Sequence, residues 1–202
     1  MTDTTAPARP TFAPVHPSPT WVTRVDLIGD GEATAETQEA YARHKAVVGP
    51  LHNGIRQLGE FPAGVDFEIA VALAIRAATH LPPVVVEVAR LRCAAVIGCE
   101  YCVAWHSRFA QRLGFSIDQV ALIWAADNRS FPGFDSEPAL AILFADEFSR
   151  NGVSTHTWEA AASLWGEQGA LELTLVCAAQ NASSRISRTL MTPFEPILTG
   201  QK

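Results

Sequence analysis

Residues 86–114 read VEVARLRCAAVIGCEYCVAWHSRFAQRLG, and the helical organisation of the chain is clearest in this stretch. The segment is apolar and Ala-rich, and Gly98 separates two regions that both have helical spacing. Cys99, Cys102 and His106 stand in the second region, whereas Glu87 stands in the first. The pattern predicts two consecutive helices that carry two thiols, one imidazole and one carboxylate.

The three reactive side chains of the second region share one helix face. At about 100° per residue, Cys99, Cys102 and His106 fall within an arc of about 60°, and Tyr101 and Trp105 point elsewhere. Glu87 meets His106 only if the preceding helix folds back antiparallel. A carboxylate in that position would orient the imidazole and raise its basicity.

The residues alone leave open which thiol attacks first. Cys99 is predicted in the first turn of its helix, where unpaired backbone N–H groups favour a thiolate. His106 lies one turn beyond Cys102 and can instead accept the proton of Cys102. Both assignments are compatible with the spacing.

The rest of the chain also has helical patterns, and no stretch shows the alternation of apolar and polar residues that is typical of a strand. The predicted fold class is therefore all-α. We expect the helix at 65–79 to be buried on most sides because it is Ala-rich, and the C-terminal tail to pack through Phe194 and Ile197. The expected helices are 34–48, 51–59, 65–79, 83–98, 99–113, 117–126, 136–149, 155–165 and 170–190.

The chain has 202 residues, enough for one sizeable core. Residues 1–20 are rich in proline and are predicted to form a flexible or extended arm, and residues 21–202 are predicted to form one domain. No run approaches the roughly 18 to 20 apolar residues that span a bilayer, so we expect no membrane partner. The net charge of −6 without a basic run argues against a nucleic-acid partner.

The N-terminal residues lack the basic start and apolar region of a signal peptide, so we expect a cytoplasmic protein. Thiols are kept reduced in that compartment, and a CxxC pair there indicates catalysis or metal binding rather than a structural disulfide. Cys99, Cys102 and His106 would supply three metal ligands, but a second ligand pair at finger-like spacing is missing. We therefore predict no metal, and we keep a plain core role for the two cysteines as an alternative.

Other polar and thiol residues receive weaker predictions. Cys93 and Cys177 are predicted to be inert buried thiols. Asn181, Arg185 and Arg188 recur at i, i+4 and i+7 on the last long helix. This stripe is compatible with a pocket for an anionic group, although a solvated or subunit-interface face is the favoured interpretation.

The spacing Glu87-x11-Cys99-x2-Cys102-x3-His106 resembles the signature of the AhpD-like alkylhydroperoxidases, within the carboxymuconolactone decarboxylase superfamily. The matching region covers about residues 85–125 and includes the flanking Gly98 and the run that begins at Gly114. The resemblance implies an all-α fold that assembles as a homotrimer or hexamer.

The same resemblance implies roles for the four residues. Cys102 would be the peroxidatic thiol, Cys99 the resolving thiol, and Glu87 with His106 the proton relay. The substrate would be a small-molecule peroxide or disulfide. An external dithiol, lipoyl- or thioredoxin-like, would reduce the disulfide, and no bound cofactor is needed.

Tyr101 is a departure from the family pattern, because characterised AhpD proteins carry histidine directly before the second cysteine. Tyrosine does not titrate near neutral pH and cannot replace that histidine as an acid–base group. The lactone decarboxylases of the superfamily do not use a CxxC pair. A decarboxylase-like lyase or isomerase, and a non-catalytic redox-sensing oligomer, are the alternative functions.

Overall fold

The computed structural model describes residues 17–125, 131, 133–150 and 152–200. Within these ranges the chain forms helices and no strand, which confirms the predicted all-α fold class. None of these helices combines the length and apolarity that a bilayer span requires. The helices are α1 (Ala35–Val47), α2 (Asn53–Arg56), α3 (Pro62–Arg76), α4 (Pro83–Ile97), α5 (Glu100–Arg112), α6 (Ile117–Trp124), α7 (Ser136–Arg150), α8 (Thr155–Leu190) and α9 (Pro196–Thr199).

The central helix is α4, which packs against α5, α6, α7 and α8. Its side chains Val85, Val88 and Leu91 are fully buried. The helix ends at Gly98, whose φ of 73° lies in the left-handed region that glycine adopts without a steric penalty. The chain reverses at this residue, so α5 folds back onto α4.

A buried ion pair connects α4 with α6 and α7. Arg92 has no exposed surface, and its Nη2 lies 2.6 Å from Oδ1 of Asp146 on α7. Its Nη1 donates to the carbonyl oxygens of Ile123 and Ala125 at the end of α6, at 2.8 and 2.7 Å. The guanidinium thereby caps one helix while it pairs with the carboxylate of another.

The prediction for α3 is wrong in its bounds and in its burial, since the helix runs Pro62–Arg76 instead of 65–79. The helix forms, but it buries only Val65, and Phe67 and Leu73 are 43% and 49% exposed. The reason is position, because α3 packs mainly against α1 and α8.

The last long helix differs from its predicted form. We expected a break from Gly166 to Gly169, but only Gly166 leaves the helical conformation, with φ 74° and ψ 166°. Gly169 lies inside the helix, where a Cβ would come within 2.4 Å of the Cβ of Trp165. The missing side chain of Gly169 permits the close approach of Trp165, and this glycine does not break the helix.

The C-terminal segment and residues 17–20 both pack against the helices. Leu198, 2% exposed, anchors the C-terminal segment together with Phe194, whereas Ile197 is 49% exposed, contrary to the prediction. Residues 17–20 of the predicted N-terminal arm lie near α5, where the backbone N–H of Ser18 donates to Glu100 Oε2 at 2.7 Å. The rest of that arm, residues 1–16, lies outside the described residues.

Candidate functional site

The two cysteines of the CxxC motif occupy the first turn of α5. Cys99 is the N-cap residue, one position before the helix, and its Sγ accepts from the backbone N–H of Cys102 at 3.2 Å. Serine, threonine, aspartate or asparagine usually fills this role. Both side chains are buried and both cysteines are free thiols. The site is thus a buried dithiol at a helix N-terminus, where the backbone favours negative charge.

The surroundings of the two sulfurs differ. Burial opposes ionisation of Cys102, but hydrogen bonds from Cys99, Ser184 and Ser187 bring its pKa below the ordinary thiol value. Burial, followed by the hydrogen bond with Cys102, raises the pKa of Cys99 far above that value. The geometry therefore favours a thiolate on Cys102 and a proton on Cys99, an order that the spacing left open.

The carboxylate and the imidazole meet as the antiparallel arrangement requires. Glu87 Oε1 lies 2.6 Å from His106 Nδ1, and both residues are buried. An ionised carboxylate only accepts, so Nδ1 carries the hydrogen and Nε2 of the neutral ring can accept a proton.

Charges around this pair keep the carboxylate ionised and the imidazole neutral. Burial raises the pKa of Glu87, but His106 and Arg90 together bring it below the ordinary value. Burial and the positive charge of Arg90 lower the pKa of His106, and the carboxylate of Glu87 only partly opposes them. Arg90 Nη1 lies 3.7 Å from Glu87 Oε2.

Gln180 connects the imidazole with the thiol side of the site. No hydrogen bond joins the His106 ring to either cysteine within the described ranges; instead, the ring interacts with the side chain of Gln180. Gln180 Nε2 donates to Ser184 Oγ at 3.0 Å, and Gln180 Oε1 accepts from Arg90 Nε at 2.9 Å. The glutamine thus holds the imidazole, the guanidinium and the hydroxyl beside Cys102 in one network.

The sequence analysis missed the residues that α8 contributes to this network. Gln180, Ser184 and Ser187 are all buried, at 2%, 0% and 7% exposure. They extend the stripe that begins with the buried Leu173 and Cys177, at alternating spacings of four and three residues. Polar residues that continue a buried apolar stripe are a usable sequence signal, because they must find partners in the core.

Glu68 is a second carboxyl group that the sequence analysis did not select. Both of its oxygens accept from Ser183 Oγ, at 3.1 and 2.9 Å. Burial raises its pKa, against smaller opposing effects of Ser183 and Arg90. Its charge opposes ionisation of Cys102, so protonation of Glu68 would favour the thiolate.

Tyr101 points to the opposite side of α5. Its hydroxyl donates to Glu195 Oε1 at 2.9 Å and accepts from the backbone N–H of Gly54 at 3.1 Å. Burial holds its pKa well above the ordinary tyrosine value. The nearby His52 stays neutral, since burial lowers its pKa to about 4. Tyr101 therefore connects α5 with α2 and the C-terminal segment.

The other two thiols lie apart from this cluster, between α4 and α8. Cys93 and Cys177 are both fully buried, as predicted, with Cys93 Sγ 4.0 Å from the carbonyl oxygen of Cys177. In the described part of the chain, no three His, Cys, Asp or Glu side chains are arranged to hold one metal ion.

Three solved structures share this fold. The apo form of the debrominase Bmp8 aligns with a TM-score of 0.67 and 19% identity, covering 86% of this chain and 93% of its own. A cysteine-to-alanine variant of that debrominase, in complex with 2,3,4-tribromopyrrole, aligns with a TM-score of 0.67 and 19% identity over 86% and 92%. A protein of unknown function from Agrobacterium tumefaciens, proposed to be the antioxidant defence protein AhpD, aligns with a TM-score of 0.62 and 16% identity over 68% and 94%.

At these identities the structural likeness establishes the fold. No curated protein matches the chain by sequence. Residues 66–142, which contain α4, α5 and the four residues of the motif, match the carboxymuconolactone decarboxylase family. The chain therefore contains a segment similar to the carboxymuconolactone decarboxylase family, and it shares its helical fold with the three solved structures.

Proposed function

We propose that the protein is a thiol-dependent peroxidase or disulfide oxidoreductase whose redox pair is Cys99 and Cys102. One observation carries the proposal: a buried carboxylate–imidazole pair stands beside a dithiol in which Cys102 has the lower pKa. A thiolate is the nucleophile in peroxide reduction and in thiol–disulfide exchange, and the buried Glu87–His106 pair supplies a base and, once protonated, an acid.

The proposed reaction balances without a bound cofactor. The proton of Cys102 passes to His106, and the thiolate attacks one oxygen of the peroxide. The O–O bond breaks, Cys102 becomes a sulfenic acid, and the protonated imidazole neutralises the departing alkoxide as an alcohol. The thiol of Cys99 then displaces water from the sulfenic acid, and the Cys99–Cys102 disulfide forms.

An external dithiol, lipoyl- or thioredoxin-like, returns the enzyme to its starting state in this proposal. One donor thiolate attacks the protein disulfide and forms a mixed disulfide. The second donor thiol resolves it, so the donor leaves as a disulfide and both protein thiols regain their protons.

Peroxide consumption by cysteine variants tests the proposal. We expect Cys102→Ser to consume no peroxide, and Cys99→Ser to consume about one equivalent and stop, because its sulfenic acid has no resolving thiol. Cys177→Ser, which removes a buried thiol outside the cluster, is the matched control and should turn over like the wild type. Undiminished turnover by Cys102→Ser would refute the mechanism.

The similarity to the debrominase favours a second candidate reaction of the same dithiol. The two thiols would together reduce the carbon–bromine bond of an aryl bromide. The bromine leaves as bromide, the ring carbon gains one thiol hydrogen, the second is released as a proton, and the cysteines form a disulfide. The debrominase neighbours cover more of this chain than the third structure does. Bromide release from 2,3,4-tribromopyrrole would support this reaction, and its absence with an active peroxidase would exclude it.

A further inference from the structure

An arginine-lined cavity opens beside the turn between α4 and α5. It has a volume of about 500 Å³, within the size range of small-molecule sites. Three of its residues come from the end of α8, one is the C-cap of that helix, one ends α4, and one comes from the N-terminal segment. The lining residues are Arg24, Ile97, Arg185, Arg188, Thr189 and Met191.

The positive charge of this cavity is not neutralised by protein. Among the described residues, Arg24, Arg185 and Arg188 form no ion pair with a carboxylate. Arg24 Nη1 donates to the Thr189 carbonyl at 3.1 Å, and Arg188 Nη1 donates to the Ile97 carbonyl. Each guanidinium has five N–H donors, so most remain available for a ligand. Such a cluster stands out in a chain of net charge −6.

The cavity is adjacent to the dithiol. A Cβ on Gly98 would lie 3.5 Å from the guanidinium carbon of Arg188, and the next residue is Cys99. The positive charge of Arg188 favours the thiolate of Cys99, although burial dominates and keeps the pKa of that thiol raised. A group bound by these arginines would therefore lie close to the turn that leads into Cys99.

We propose that this cavity binds the carboxylate of an anionic dithiol that reduces the Cys99–Cys102 disulfide. The proposal rests on the proposed redox function and adds the chemical class of the reductant. Guanidinium groups bind carboxylates through paired hydrogen bonds, and a carboxylate held here would position a thiolate of the same molecule against the disulfide. In this exchange the dithiol leaves as a disulfide, and its two protons remain with the protein thiols.

Two dithiols that differ in one group test the proposal. Dihydrolipoate carries a carboxylate where dihydrolipoamide carries a neutral amide. The single-turnover rate of reduction of the oxidised full-length protein is measured with each, and the ratio of the two rates is compared between variants. We expect wild type to prefer dihydrolipoate by roughly fivefold at low salt, and less at high salt.

Arg185→Gln should lose most of this preference and keep the rate with dihydrolipoamide, and the Arg185→Gln/Arg188→Gln double variant should lose the preference completely, as judged by the ratio of the two rates. No hydrogen bond joins Arg185 to another described residue, so its substitution removes a charge without removing a contact that stabilises the fold. Arg112→Gln removes an equal charge at the far end of α5 and should keep the preference. An unchanged rate ratio in the double variant would overturn the anion subsite but leave the redox pair standing. Failure of both dithiols to reduce the protein would overturn the redox proposal itself.

Discussion

At the scale of single residues, the site depends on how one proton is shared between Cys99 and Cys102. Hydrogen bonds from Cys99, Ser184 and Ser187 favour the thiolate of Cys102 against the cost of burial. At Cys99 the backbone hydrogen bond from Cys102 and the charge of Arg188 do not offset burial, so this thiol stays protonated. The N-terminal cysteine is therefore suited to resolve rather than to attack.

Alkylation measured against pH tests this asymmetry. With a small alkylating reagent, we expect the wild type to react first at Cys102, with a midpoint below that of an ordinary thiol. Cys99 should stay unmodified to higher pH, because burial keeps its pKa raised. Peptide mass spectrometry locates the label, and the fully buried Cys93 is an internal control. Preferential labelling of Cys99 would contradict the assignment.

The Glu87–His106 pair predicts a specific pH effect. The carboxylate raises the pKa of His106 against burial and Arg90, so Glu87→Gln should lower that pKa further. Activity that needs the neutral imidazole is lost on acidification through the His106 pKa, and this acid limb should move to lower pH in the variant. At neutral pH we expect turnover to fall about 100-fold, because the imidazole is a weaker and less well-oriented base.

A matched control exists in a second carboxylate–imidazole pair. Glu172 Oε1 lies 2.7 Å from Nδ1 of His80, which is 47% exposed. Glu172→Gln removes the same type of interaction outside the site and should leave the rate and its pH profile unchanged. If Glu87→Gln behaves like Glu172→Gln, then Glu87 and His106 do not act as a relay.

Spacing placed the four motif residues correctly on two consecutive helices, because helical periodicity needs no long-range information. It left open whether the two helices face each other, which the structure shows. It did not identify the α8 residues beside Cys102. The sequence analysis chose the stripe of Asn181, Arg185 and Arg188, and the hydroxyls belong to the stripe one residue earlier, about 100° away around the helix. Which face of α8 meets the thiols depends on tertiary packing, which periodicity alone does not fix.

At the scale of elements, the site depends on how firmly α4 is held. Arg92 and Asp146 are 0% and 1% exposed, and they connect α4 with α7. Removing one partner of a buried ion pair leaves the other charge without compensation in the core. The position of Glu87 on the same helix thus depends on contacts that lie on the other side of α4.

Asp146→Asn should therefore lower the free energy of unfolding by about 3 kcal/mol, measured by urea denaturation. Asp66→Asn breaks the ion pair with Arg43, in which both side chains are about half exposed, and it should leave the denaturation midpoint nearly unchanged. Equal effects of the two substitutions would show that the buried pair does not hold α4 in place.

At the scale of the whole molecule, several large apolar side chains of α8 and α3 are exposed among the described residues. Leu171 and Leu175, one turn apart on α8, are 56% and 59% exposed, and Leu164, on the other side of the kink at Gly166, is 43% exposed. The exposed side chains of α3 belong to a helix that packs against α8. Surfaces of this kind mark protein–protein contacts.

We expect the protein to form a homo-oligomer, a trimer or hexamer, through this surface. The double substitution Leu171→Glu/Leu175→Glu should reduce the mass measured by sedimentation or light scattering to that of the 21.8 kDa chain. Leu113→Glu places a charge at another exposed leucine, 46% exposed at the end of α5, and should not change the mass. A monomeric wild type would contradict the assembly.

The all-α fold and most helix ends were predictable, because caps such as Thr34 and Ser116 act locally: each side chain accepts a hydrogen bond from the backbone N–H three residues later. Burial was less predictable. The Ala-rich composition of α3 is typical of a core helix, yet most of its side chains are not buried within this chain. The amino-acid composition of a helix indicates that its surface is apolar. It does not indicate whether the same chain or another copy of the protein covers that surface.

The mass spectrum of the protein after one equivalent of peroxide tests most directly whether Cys99 and Cys102 form one redox pair. We expect loss of the two thiol hydrogens and a disulfide that joins Cys99 to Cys102, and a dithiol should reduce this disulfide again. Oxidation of Cys102 to sulfinic or sulfonic acid without that disulfide, or a chain that peroxide leaves unchanged, would contradict this pairing.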